Sequence, residues 1–141
     1  MFVHRLARPM IAAIFITSGI DTLRHPEKKL PAAKPFLDSV VEKAGDSLPA
    51  AVPTDPVTLI RLDAAVKVGA GALLAIGRFP RLSALALAGN LVPTTLAAHA
   101  YWVHEDPTQR AAQRIQFLKN LAMAGGLLIA ATSGSRKRKS D

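Results

Sequence analysis

The chain has 141 residues, no cysteine, a formal net charge of +8 and an apolar share of one half. With a mean hydropathy of +0.23 and only 20% charged residues, it is too apolar for the surface of a soluble domain of this size. The missing thiols exclude a disulfide framework, an Fe–S cluster, a Cys-zinc site and CxxC redox chemistry by the chain itself, so any redox role must pass through a bound cofactor or a partner.

Four apolar segments follow in chain order, over about residues 6–23, 57–76, 79–100 and 110–132. Each is close to the ~20 residues a helix needs to cross ~30 Å of hydrocarbon at 1.5 Å per residue. The first has the basic start of a signal peptide, but no A-x-A cleavage site follows it; the next residues are Ser18-Gly19-Ile20-Asp21. It reads as an uncleaved span. The loop that follows balances Arg24, Lys28, Lys29, Lys34 and Lys43 against Glu27, Asp38, Glu42, Asp46 and Asp55. Within it, Phe36, Leu37, Val40, Val41 and Ala44 recur at helical spacing, which predicts a short amphipathic helix on the outer face. Pro49, Pro53 and Pro56 end that helix and lead into the second span, with Thr54 or Asp55 as N-cap.

Loop charge sets the orientation. Arg5 and Arg8 precede the first segment, Arg78 and Arg81 lie in the tight turn before the third, and the run Arg136-Lys137-Arg138-Lys139 follows the fourth. With four spans these regions fall on one side. The expected fold is therefore all-α: an integral membrane four-helix bundle, N-in and C-in, with the amphipathic helix in the first external loop. Residues 1–134 form the membrane domain and residues 135–141 a basic cytoplasmic tail, in a multi-pass protein of the bacterial plasma membrane. The dense basic run reads as a stop-transfer and orientation signal, not as a nucleic-acid patch.

Polar residues inside the segments are costly in lipid and mark a polar interior. Asp21 lies thirteen residues from Arg8, Lys67 eleven from Arg78, Asn90 and Thr94 nine and thirteen from Arg81, and Lys119 thirteen from Thr132, all at a depth of ~14–20 Å. Asp63 and Lys67 are i, i+4 and pair. Cβ direction leans Lys67 and Lys119 outward and Asp21 inward, so the expected layer gathers them across the bundle. Its members are Asp21, Arg61, Asp63, Lys67, Asn90, Thr94, His99, Gln116, Lys119 and Asn120, with Gly69, Gly71, Gly125 and Gly126 letting the helices approach below it. Such a layer would bind an anionic or quinone-like head group. The alternative is that it holds the helices together, through a self-neutralising Asp63–Lys67 pair and interhelical hydrogen bonds of ~1 kcal/mol each. No catalytic residue or metal site stands out. His99 and His104 are i, i+5 and do not share a face, which disfavours haem and leaves quinone as the cofactor to consider.

Several stretches resemble the DoxX family of small four-helix membrane proteins, especially actinobacterial members. They are Arg8-Pro9 to Gly19, Leu59-Ile60-Arg61-Leu62-Asp63-Ala64-Ala65 with Gly69-Ala70-Gly71, Leu91-Val92-Pro93-Thr94-Thr95 to His99, and Gln113 to Leu128. Gln-Phe-Leu-Lys-Asn-Leu-Ala with the following Gly-Gly is the most specific piece. The resemblance implies a relation to the membrane subunit of a thiosulfate:quinone oxidoreductase, and to a membrane partner of superoxide dismutase and a sulfurtransferase in oxidative stress. On that footing the first reading is a membrane subunit or scaffold in redox or thiol-sulfur homeostasis, with redox or superoxide-detoxifying partners and self-association in view. The second is a quinone- or sulfur-oxyanion-binding subunit of an oxidoreductase. The third is a small-molecule or lipid carrier. The chain has no self-contained catalytic signature, so whether it is an enzyme stays open.

Overall fold

A computed structural model describes residues 2–133, and the basic run Arg136 to Lys139 lies outside them. The described residues are all helical or irregular, with no strand. Five α-helices follow in order: α1 (Phe2–Arg24), α2 (Leu30–Ala44), α3 (Pro56–Ala75), α4 (Pro80–Ala98) and α5 (Pro107–Thr132). Short 3-10 turns at Pro26–Lys28, Gly45–Ser47 and Tyr101–Val103 join them.

The helix starts are written in local chemistry. Asp55 caps α3, accepting from the Thr58 backbone N–H and hydroxyl at 2.9 Å each, with Pro56 in the first turn, where its missing N–H costs nothing. These bonds to the charged form hold the exposed Asp55 carboxyl below its ordinary pKa. Asp106 does the same for α5 through the Gln109 N–H at 2.9 Å, which starts that helix three residues before the Arg110 expected from the sequence. Between α3 and α4 the chain reverses in a few residues: Gly77 takes φ 73°, and Phe79, held out of the right-handed region by Pro80, takes φ 49°.

α1 packs along α3, α3 on α4 and α4 on α5, while α5 touches α1 only sparsely. α2 lies across α3 and α4. The core is a dry cluster of Ala12, Phe15, Leu74, Ala84, Leu87, Ala88, Leu91, Leu127 and Ala131. Its members recur every three or four residues on each helix, so one narrow stripe per helix faces inward. α1 and α3 come closest at two glycines. A Cβ at Gly19 would stand 2.9 Å from the Ala64 carbonyl oxygen, and one at Gly71 would stand 2.9 Å from Ile16. Of the four glycines expected at close approaches, Gly71 is at one; Gly69 and Gly125 face open space, and Gly126 meets only Ile11, at 3.9 Å. Gly69 and Gly125 sit off the inward stripe.

Outside the stripe the helices are apolar too. Met10, Ile14, Leu62, Leu82, Leu85, Val92, Ile115, Leu118, Leu121, Leu128 and Ile129 are each half-exposed or more. Contiguous apolar surface on this scale needs a non-aqueous neighbour. Among the described residues, Arg5–Arg24 and Pro107–Thr132 are long and apolar enough to cross a membrane. The other two long helices fall short of that measure. α3 carries Arg61, Asp63 and Lys67, and α4 carries Arg81, Asn90 and two prolines.

Candidate ligand cavity

Lys67 is the anchor of the site. It lies on the inward stripe of α3 (Ile60, Ala64, Lys67, Gly71, Leu74) and is only 7% exposed. A buried ammonium must be paired and hydrogen-bonded. Its Nζ donates to Asp63 Oδ2 at 2.5 Å, one helical turn earlier, and to Thr94 Oγ1 on α4 at 3.1 Å. Asn90, one turn before Thr94, donates from Nδ2 to the other Asp63 oxygen at 2.6 Å. Four side chains from two helices thus form one charge-neutral network. Asn90 Oδ1 is buried with no hydrogen-bond partner among the described residues.

Two further links tie α4 to α5. Asn120 Nδ2 donates to Thr95 Oγ1 at 2.9 Å, and His99 Nδ1 meets Gln113 Oε1 at 2.7 Å. With the amide oxygen as acceptor, Nδ1 carries the proton and Nε2 is left as an acceptor.

These groups border a cavity of about 350 Å³ under α2, within the size range of small-molecule sites. Phe15, Ile60, Leu91 and Met123 make its apolar floor and walls, Phe36 and Leu37 of α2 its roof, and Lys67, Asp63, Thr94, His99, Gln116 and Asn120 its polar points. The combination is a mostly apolar pocket with a few convergent donors and acceptors.

The structure sorts the ten residues expected in the polar layer. Asp63, Lys67, Thr94, His99, Gln116 and Asn120 line the cavity, and Asn90 stands behind Asp63. Asp21, Arg61 and Lys119 do not join them; all three are exposed. The reason is angular. On α5 the inward stripe runs Gln113, Phe117, Asn120, Ala124, Leu127, Ala131, all buried or half-buried. Lys119 is one residue off it, a rotation of about 100°. Asp21 stands likewise beside buried Thr22, and Arg61 beside buried Ile60. The Asp21–Lys119 meeting expected from Cβ direction is therefore corrected: depth was matched, but the faces differ. Thr95, Gln113, Ser18, Thr22 and the α2 roof were missed as site residues. Thr22 and Thr95 were findable, because they fall on the same i, i+3, i+4 stripes as the core alanines and leucines.

Described residues that are helical throughout, with two helices of membrane-spanning length and a buried ion pair on the wall of an interior cavity, are the pattern of a membrane protein. A family profile described as DoxX matches residues 4–100, and the chain belongs to the DoxX family. The match runs from α1 through α4 and includes the first loop. The stretch Gln113 to Leu128, which holds the most specific piece of the resemblance by sequence, lies beyond it. No curated protein and no solved structure matches the chain. Family membership and the apolar helices point to a lipid bilayer as the environment.

Proposed function

We propose that the chain is a four-span integral membrane component of redox homeostasis, working as a subunit or scaffold, and that the cavity under α2 receives a neutral, quinone-like head group. The observation that carries this reading is the charge-neutral Thr94–Lys67–Asp63–Asn90 network on the wall of an apolar cavity. Lys67 is already compensated by Asp63, so the wall presents donors without net charge. A carbonyl head group suits such a wall. A sulfur oxyanion would meet the Asp63 carboxylate, and of the lining lysines Lys67 is already paired while Lys29 stands exposed at the rim, where water screens it.

Topology follows the positive-inside rule in this proposal. Arg8 of α1 reaches within 3.2 Å of the Cβ position of Gly77, so the basic start of α1 and the Arg78–Arg81 turn share one end of the molecule. That end is read as cytoplasmic, in the plasma membrane. α3 crosses because its carboxylate and ammonium cancel each other inside protein.

The test is purification in mild detergent, organic extraction and mass spectrometry. Near-stoichiometric isoprenoid quinone in the native protein, lost in an Asp63→Asn/Lys67→Met double variant that stays folded, is the expected result. No enrichment over an unrelated membrane protein purified alongside would overturn it. Recovery of the native chain free of any partner protein would count against the subunit or scaffold role.

A further inference from the structure

The two sides of α1 differ in how they close the molecule. Toward α3 the seam is tight along its length, with Gly19 and Gly71 at backbone distance from the opposing helix. Toward α5 the contact is sparse. It lies at the end away from α2, where Ile11 meets Gly126 and Ala12, Phe15, Leu127 and Ala131 share the core. Above that point both helices border the cavity: Ile14, Ser18 and Thr22 on α1, and Gln116, Asn120 and Met123 on α5. Ser18 is ~10 Å along α1 from Ile11, and Gln116 is ~15 Å along α5 from Gly126. α2 roofs the cavity from α3 and α4 and packs on neither α1 nor α5 to any extent.

Ile14 and Gln116 line the cavity and are also exposed, Ile14 at 50%. A residue that does both marks a mouth. This mouth opens between two helices, on the face of the molecule where Ile14 and Gln116 are exposed. In the orientation proposed above, that face borders lipid.

We infer that the gap between α1 and α5 is a lateral portal, and that the ligand carries a long apolar tail that leaves through it into the bilayer while the head group stays at Lys67 and Thr94. The inference rests on the neutral head-group reading and adds the route by which the ligand's tail leaves the cavity. Its occupant follows from continuity with the cavity: the apolar walls Ile14 and Met123 lead from the polar points to the mouth. Lys29 and Ala32, at the start of α2, also line the cavity and are exposed, which marks a second opening on the α2 side.

The tail gains little by leaving one apolar medium for another, since lipid is as apolar as the portal. The prediction is therefore tolerance. In lipid nanodiscs, at equal mole fraction in the lipid, a tail-less methoxylated benzoquinone and its decyl homologue should bind within about threefold of each other. Ala112→Trp, at an exposed α5 position one turn before Gln116 and outside the cavity lining, obstructs the mouth and should weaken the decyl compound by about tenfold or more and leave the tail-less one within about threefold. Lys119→Trp, exposed and one turn from both Gln116 and Met123 but outside the lining, obstructs the same mouth and serves if Ala112→Trp fails to fold. A native protein that binds the tail-less compound but rejects the decyl one overturns the portal and leaves the head-group site standing. The same holds if both compounds bind and neither plug discriminates. Binding of neither compound overturns both.

Discussion

The half of the molecule away from α2 and the half beneath it are built on different terms. Away from α2 the inward stripes carry Ala12, Leu74, Ala84, Leu87, Leu127 and Ala131, and among the described residues Ser83 is the one polar side chain buried there. Beneath α2 the same stripes carry Thr22, Lys67, Thr95 and Asn120, and the interior opens into a cavity. In lipid the helices gain nothing from hiding apolar groups as such, so the first half is held by close van der Waals packing. The second is held by hydrogen bonds, at the cost of burying a charge pair. A fold that needed only to be stable would repeat the first half throughout. In the proposed reading, the polar half is where stability gives way to binding.

The sharpest way to break the packed half is at Gly19. A Cβ there would meet Val68 at 2.7 Å and the Ala64 carbonyl at 2.9 Å, and backbone cannot step aside cheaply. Gly19→Leu should abolish the folded species in size-exclusion chromatography, and Gly19→Ala should cost about 1–3 kcal/mol. Gly125→Ala is the control: it faces open space in the middle of α5, so it should be neutral or stabilising by about 0.5–1 kcal/mol. Leu74→Ala comes next. Leu74 is fully buried, and its truncation should cost about 2–5 kcal/mol in detergent unfolding.

The polar half should respond differently. Lys67→Met strands the Asp63 carboxylate and should cost about 2–3 kcal/mol, at or below the lower end for a buried pair because Asp63 keeps 31% of its side chain exposed. Asp63→Asn/Lys67→Met removes both charges and should recover most of that loss, within about 1 kcal/mol of the native protein. If the single and double variants were equally unstable, the network would be packing and not electrostatics. The smallest effect belongs to the Asp55 cap. Its carboxyl titrates below the ordinary aspartate value when folded. Its contribution is therefore present above the unfolded value and is lost as pH falls through the lowered folded one. Asp55→Asn should flatten the acid limb of a stability-versus-pH curve slightly and leave neutral pH almost unchanged.

Much of this was legible from the residues. The four long helices sit within a few residues of the apolar segments, because period and end signals such as Asp55-Pro56 are local. The α2 helix was visible in Phe36, Leu37, Val41 and Ala44, and the Asp63–Lys67 pair in its i, i+4 spacing. What was not legible depended on rotation about a helix axis. Lys119 and Asn120 are neighbours at one depth, yet one is exposed and the other bonds Thr95. Only the full stripe from Gln113 to Ala131 separates them. The tight glycine, Gly19, was hidden for a related reason: which small residue meets a backbone depends on the partner helix, and α1 chose α3.

The account turns on where a quinone head group binds, and photolabelling shows that directly. An azidoquinone should be irradiated with the native protein in lipid nanodiscs, with and without excess unlabelled quinone, and its adducts mapped by mass spectrometry. The account predicts saturable, competed adducts on cavity residues of α3 and α4, between Leu59 and Lys67 and between Leu91 and His99. Uncompeted adducts scattered over exposed positions such as Leu118, Lys119 and Leu121, with none in the cavity, would contradict it.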